Sequence, residues 1–197
     1  MTEKPEEHAV LHALRLKGVA ALESLLIFDA PEEEIQDLLA ALTRQGLVIF
    51  RESSRIAGWT LTEAGRQRHK EELTRSRSQE LVVALSHPYE EFLTLNPTFK
   101  DLCAHWQALH AEDLQARRAA IDALGLLHQD VENTLDRAGM IVGRFIRYRE
   151  DLRNALERLH SGDHRFFTSI NVQSYHNVWF ECHEDFLLTL GRDRSEE

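Results

Sequence analysis

The chain is short of cysteine: Cys103 and Cys182 are the only two in 197 residues. Their wide separation excludes the paired spacing of a zinc site or a redox dithiol. Both read as small buried hydrophobes in a reducing compartment. Long apolar runs are missing as well, and no stretch approaches the roughly 18 residues of a membrane span. The start, Met1-Thr2-Glu3-Lys4-Pro5-Glu6-Glu7, lacks a basic segment followed by an apolar run. The expectation is a soluble, cytoplasmic chain with no membrane partner. Catalytic signatures are absent: there is no Gly-x-Ser-x-Gly, no phosphate loop ending in Gly-Lys-Ser or Gly-Lys-Thr, and no Gly-x-Gly-x-x-Gly. This argues against a self-contained enzyme and names no catalytic residue, metal or cofactor. Positive charge is also scarce, with 23 Lys and Arg against 33 Asp and Glu and a net charge of -10. Such a field repels polyanions, so nucleic-acid binding would need a local basic patch.

What is present is a foldable core. A hydrophobic share of 43% and a charged share of 28% fit a globular protein, and the length suits a small module followed by a larger helical one. Val10, Leu11, Leu14 and Leu16 predict a first helix ended by Gly18, and Leu22, Leu25 and Leu26 a second over 19–27. Asp29 and Glu32 have capping-box spacing, and Pro31 fits the first turn of a third helix. That helix buries Ile35, Leu38, Leu39 and Leu42 and ends at Gly46. Residues 47–51 and 58–61 then read as a hairpin, after which Thr62 caps another helix. Three helices and a two-stranded wing make a winged helix, completed to residue 77 by a polar, exposed linker helix.

Residues 78–197 read as an α-helical bundle, so the whole is mainly α. Pro88 and Pro97 are expected to break its first part into segments such as 89–95 and 98–109. Leu114, Ile121, Leu124, His128, Val131 and Leu135 form one stripe. Beyond Gly139, Ile141, Phe145, Tyr148, Leu152, Leu156 and Leu159 form another, and the two helices pack as a hairpin. After a loop at 161–164 and an irregular stretch, a last amphipathic helix covers 174–190 and stops at Gly191.

The third helix is where a winged helix reads DNA, yet its outward face is Glu33, Gln36, Asp37, Ala40 and Arg44. Two carboxylates facing phosphates are repelled, with only Arg44 to offset them. Arg51 and Arg55 of the wing, with Arg66, Arg68, Lys70, Arg75 and Arg77, could grip a phosphate backbone without reading sequence; the plainer alternative is a set of solvated arginines. The same surface suits docking to a protein.

In the helical half, Arg144 and Arg147 share one side and could hold a phosphate or carboxylate bidentately. The ordinary reading pairs the arginines of this helix with Glu150, Asp151 and Glu157 on a wet surface. His176 and His183 lie two turns apart without a third ligand at i+3 or i+4, which suits a packed helix better than a metal site. With Tyr175 and Trp179 they mark a candidate ligand or partner surface. His128 reads as a core histidine.

Gly46-Leu47-Val48 and the run Gly58-Trp59-Thr60-Leu61-Thr62-Glu63-Ala64-Gly65-Arg66 resemble MarR-like winged-helix regulators. More distinctive are residues 89–96, His105-Trp106-Gln107 and residues 174–192, which begin Ser174-Tyr175-His176-Asn177-Val178-Trp179. These resemble a module of actinobacterial phosphoenolpyruvate-utilising proteins, in which a winged helix plus a helical unit forms a tail on pyruvate, phosphate dikinase-like or phosphoenolpyruvate synthase-like chains. The resemblance covers nearly the whole sequence. It implies partnership with a separately encoded dikinase-like phosphotransferase. The nucleotide-grasping, swivelling and barrel domains of those enzymes find no room here, so none of their catalytic residues carries over. The alternative is a DNA-binding regulator whose helical half forms a homodimer or senses a ligand.

Overall fold

A computed structural model describes residues 6–25, 30–52 and 57–193. They are mainly helical, with one two-stranded antiparallel sheet, and the chain divides into two compact units, Met1–Arg77 and Ser78–Glu197.

In the first unit, helix α1 (Glu7–Lys17) is followed by a 3-10 turn at Leu22–Leu25 and helix α2 (Glu32–Arg44). Over the described part of the expected helix at 19–27, only Leu22–Leu25 is helical, as that 3-10 turn. Ala20 is instead extended and exchanges both backbone hydrogen bonds with Trp59, at 2.9 and 2.8 Å. Residues 26–29, and with them the expected Asp29 cap, lie outside the described residues. Pro31 stands at the N-cap of α2 rather than inside its first turn. The helix buries Ile35, Leu39 and Leu42 against Val10, Leu11 and Leu14 of α1 and against Leu25. Its end is a Schellman turn, in which Leu47 N–H reaches the Leu42 carbonyl and Gly46 N–H reaches that of Thr43. Gly46 supplies the φ of +71° that this turn requires.

Strands β1 (Val48–Glu52) and β2 (Ala57–Leu61) pair antiparallel, with Phe50 opposite Trp59 and the two rings edge to face at 5.3 Å. Thr62 then caps helix α3 (Glu63–Ser76) by accepting the Gly65 N–H at 3.0 Å. A Cβ at Gly65 would stand 2.0 Å from the Leu47 carbonyl oxygen, so glycine is what lets α3 approach the hairpin. The expectation of an exposed linker helix is corrected: α3 buries Gly65, His69 and Leu73 and packs on α1.

The second unit is built from α4 (Gln79–Ala108), α5 (Leu114–Ile141), α6 (Phe145–His160) and α7 (Tyr175–Leu190). The prolines do not break α4, which runs unbroken through Pro88 and Pro97. Each proline removes one helical hydrogen bond, a cost of about 3 kcal/mol in an interior position. Against that stands a buried stripe of Leu85, Tyr89, Phe92, Asn96, Phe99, Cys103 and Trp106, spaced by three and four. Burying one large apolar side chain contributes about 1.5–3 kcal/mol, so the stripe outweighs the two lost bonds.

Helix α4 packs on α5, α5 on α6, and α7 on both α6 and α4. Leu114, expected on the buried stripe of α5, is exposed, and the stripe begins at Ala120. Nor does Gly139 end that helix, which continues to Ile141. A Cβ there would meet the Ile146 side chain at 2.3 Å, so the glycine admits α6 against α5. Ser174 caps α7 by accepting the Asn177 N–H, and Gly191 closes it in the left-handed conformation. No helix of the described residues is long and apolar enough to cross a membrane.

Candidate functional site

On the first unit the outward face of α2 is as acidic as its sequence. Glu33, Gln36, Asp37 and Arg44 are all exposed, and the Gln36 amide donates to the Glu32 carboxylate at 2.8 Å. Arg51 is exposed on β1, whereas Arg55 lies outside the described residues. The basic residues of α3 are less free than their spacing suggests. Arg66 donates to Glu63 and to the Leu61 carbonyl, and Arg68 is paired with Glu72 at 2.7 Å.

On the second unit, Arg144 is not a wet-surface arginine paired with Glu150, Asp151 or Glu157. Its guanidinium lies along the carboxylate of Asp185, with Nε 3.1 and 3.0 Å from the two oxygens and Nη2 2.8 Å from one of them. The fork that could have held an external anion is filled from within the chain. Arg147 does keep the neighbour expected of it, Asp151 at 3.6 Å, and lies over the Tyr148 ring. Neither arginine belongs to the cavity described next.

Helices α4 and α7 line a half-open cavity of about 520 Å³. From α7 come His176, Trp179, Phe180 and His183; from α4 come Asn96, Phe99, Lys100, Cys103, Ala104 and Gln107. Trp179 is clasped between Phe92 and Phe99, with ring centres 4.5 and 4.2 Å away. Its indole N–H donates to the Asn96 side-chain oxygen at 3.1 Å. His183 is buried beside the rings of Tyr89 and Phe92. The Nδ1 atom of His176 is buried with no hydrogen-bond partner among the described residues. Burial pushes the Cys103 thiol up to about 12, so it stands in the wall as a neutral group and not as a nucleophile. Tyr175 lies behind this wall, fully buried, 3.1 Å from Nδ1 of His128.

Three of the residues read from the sequence, His176, Trp179 and His183, are therefore brought to one cavity. The α4 wall opposite them was missed. Asn96, Lys100, Cys103 and Gln107 follow one another by four, three and four, which is the signal of a shared helix face. A break at Pro97 separates Asn96 from the other three, which share the expected segment 98–109. Among the described residues, no group of three His, Cys, Asp or Glu side chains is arranged to hold a metal ion. No family model, no curated protein and no solved structure matches this chain.

Proposed function

We propose that this chain is an accessory subunit, with no catalytic centre of its own, of a phosphoenolpyruvate synthase-like or pyruvate, phosphate dikinase-like phosphotransferase acting on a small organic acceptor in the cytoplasm. In this reading the first unit is a winged helix turned to protein docking. The observation that carries it is the exposed acidic face of α2, where Glu33 and Asp37 stand at the position a winged helix offers to DNA. Carboxylates held against phosphates repel them, whereas a basic patch on a protein partner attracts them. The sequence of residues 174–192 supports the choice of partner.

Co-purification of the tagged full chain from its native host tests the proposal. The expected result is recovery of a dikinase-like chain, lost when Glu33 and Asp37 are both changed to Lys. If no phosphotransferase chain is recovered, and phosphotransferase activity is unchanged after deletion of this gene, the reading fails.

A second reading, a MarR-like transcriptional regulator, is favoured by one feature. The double hydrogen bond between Ala20 and Trp59 ties the hairpin back to the segment between α1 and α2, which supports a winged-helix arrangement. Gel shift on the chain's own upstream DNA separates the two readings. Salt-sensitive, sequence-specific binding lost on Arg51→Ala with Arg55→Ala would favour the regulator.

A further inference from the structure

The cavity between α4 and α7 has a one-sided chemistry. A chain with 33 acidic residues places neither Asp nor Glu in its lining. Its polar groups can instead donate. Asn96 is buried and spends its side-chain oxygen on the Trp179 indole N–H. That contact fixes which way the amide faces and leaves its NH2 as a donor. Gln107 offers a second amide, and the Lys100 ammonium makes no ion pair with any described residue. The rest of the lining is apolar: the edges of the Phe99 and Trp179 rings, which stack on each other and are nearly fully buried, and the half-exposed ring of Phe180.

We propose that this cavity is a binding site for a small organic carboxylate with an apolar body. The carboxylate meets Lys100 and the amides of Asn96 and Gln107, while the body lies against the ring of Phe180. Cations are disfavoured because no carboxylate lines the site. A polyphosphate is disfavoured because the lining supplies one ammonium and no glycine-rich run of backbone N–H groups. The volume of about 520 Å³ lies within the range of small-molecule pockets. This site stands whether or not α2 docks a protein, because every residue it uses lies on α4 or α7.

Isothermal titration of the full chain with 2-naphthoate, and with the neutral amide 2-naphthamide, tests it. The expected result is saturable binding of the acid, at least tenfold tighter than the amide, with a shifted Trp179 indole N–H resonance in the nitrogen-edited NMR spectrum. Lys100 is exposed, so Lys100→Met should fold with an unchanged circular dichroism spectrum and melting temperature. It should also abolish the preference for acid over amide. Absence of saturable binding at millimolar acid, equal affinity for acid and amide, or a Lys100→Met variant that keeps the preference would each overturn the proposal.

Discussion

Asp185 has no exposed surface, yet it carries a charge into the helical unit. Burying a carboxylate costs several kcal/mol unless its lone pairs are filled, and here they are. The Arg144 fork takes one side, the Tyr148 hydroxyl donates at 2.9 Å, and the Thr189 hydroxyl donates at 3.0 Å. Burial opposes the charge on Arg144, but the Asp185 carboxylate overcomes it and holds the guanidinium pKa above its ordinary value. Burial first, and then Asp185, push Tyr148 well above the usual phenol range, so it remains a donor. Asp185→Ala would strand Arg144 beside an empty polar site. Because the Arg144 side chain is about a third exposed (34%), the expected loss is near the lower end of buried-pair values, about 3 kcal/mol in urea unfolding; a loss under about 1 kcal/mol would sink this account. His128 gives the pH prediction. It is 6% exposed, and burial holds its pKa below the ordinary 6.5 although Glu132 pulls the other way. Above 6.5 both folded and unfolded chains carry a neutral ring and stability does not change through this group. Below 6.5 the unfolded chain takes up the proton first, so stability falls until the folded pKa is reached and then levels. The slope is at most about 1.4 kcal/mol per pH unit. Urea midpoints measured from pH 7.5 to 5 for the parent and for His128→Gln should diverge in that sense, and parallel curves would refute it.

At the scale of elements, α4 decides the second unit, because its single continuous face builds both the core and the donor wall of the cavity. Pro88 is buried and fills space, whereas Pro97 is exposed and contributes no apolar contact to the core. Pro97→Ala should therefore restore the hydrogen bond to the Leu93 carbonyl without opening a void. The expected gain is up to about 3 kcal/mol, the interior cost of proline relative to alanine, seen as a higher thermal midpoint; an unchanged or lower midpoint would refute it. The same helix shows where sequence reading stops. Thr62, Gly46, Ser174 and Gly191 announce helix ends because capping is local chemistry, readable within four residues. The continuity of α4 depends on burial spread from Leu85 to Trp106, and no window around Pro97 contains it. The buried face of α3, a helix expected as exposed, was hidden differently. Its inner face is mostly His69 and Leu73, and His69 is buried by meeting His12 of α1, Nε2 to Nδ1 at 2.9 Å, which leaves no apolar periodicity to detect. Arg144 was misassigned because Glu150 and Asp151 are near in sequence, while its partner Asp185 is 41 positions away.

Over the whole molecule, burial falls into two separate cores. One joins α1, α2, the hairpin and Leu25; the other joins α4, α5, α6 and α7. Cooperative unfolding follows a shared core, so each unit carries the contacts needed for its own transition. Residues 1–77 make a small unit. A chain of that size buries a smaller fraction of its surface than one of 120 residues and is correspondingly less stable. Residues 78–197 produced alone should therefore fold, with a cooperative melt and the high helical content of α4 to α7. Asp185→Ala should cost that fragment the same free energy that it costs the full chain, within about 0.5 kcal/mol. In the full chain, the transition moved by Asp185→Ala should be the one at higher urea. Failure of the fragment to fold, or a loss that differs between fragment and full chain, would mean that the first unit is part of the same cooperative system. The cavity, which lies wholly on α4 and α7, could then be altered by events at α2. If instead the fragment behaves as expected and binds 2-naphthoate with the affinity of the full chain, ligand binding and α2 docking are separate properties of one chain. Any coupling between them would then have to come from a partner that touches both.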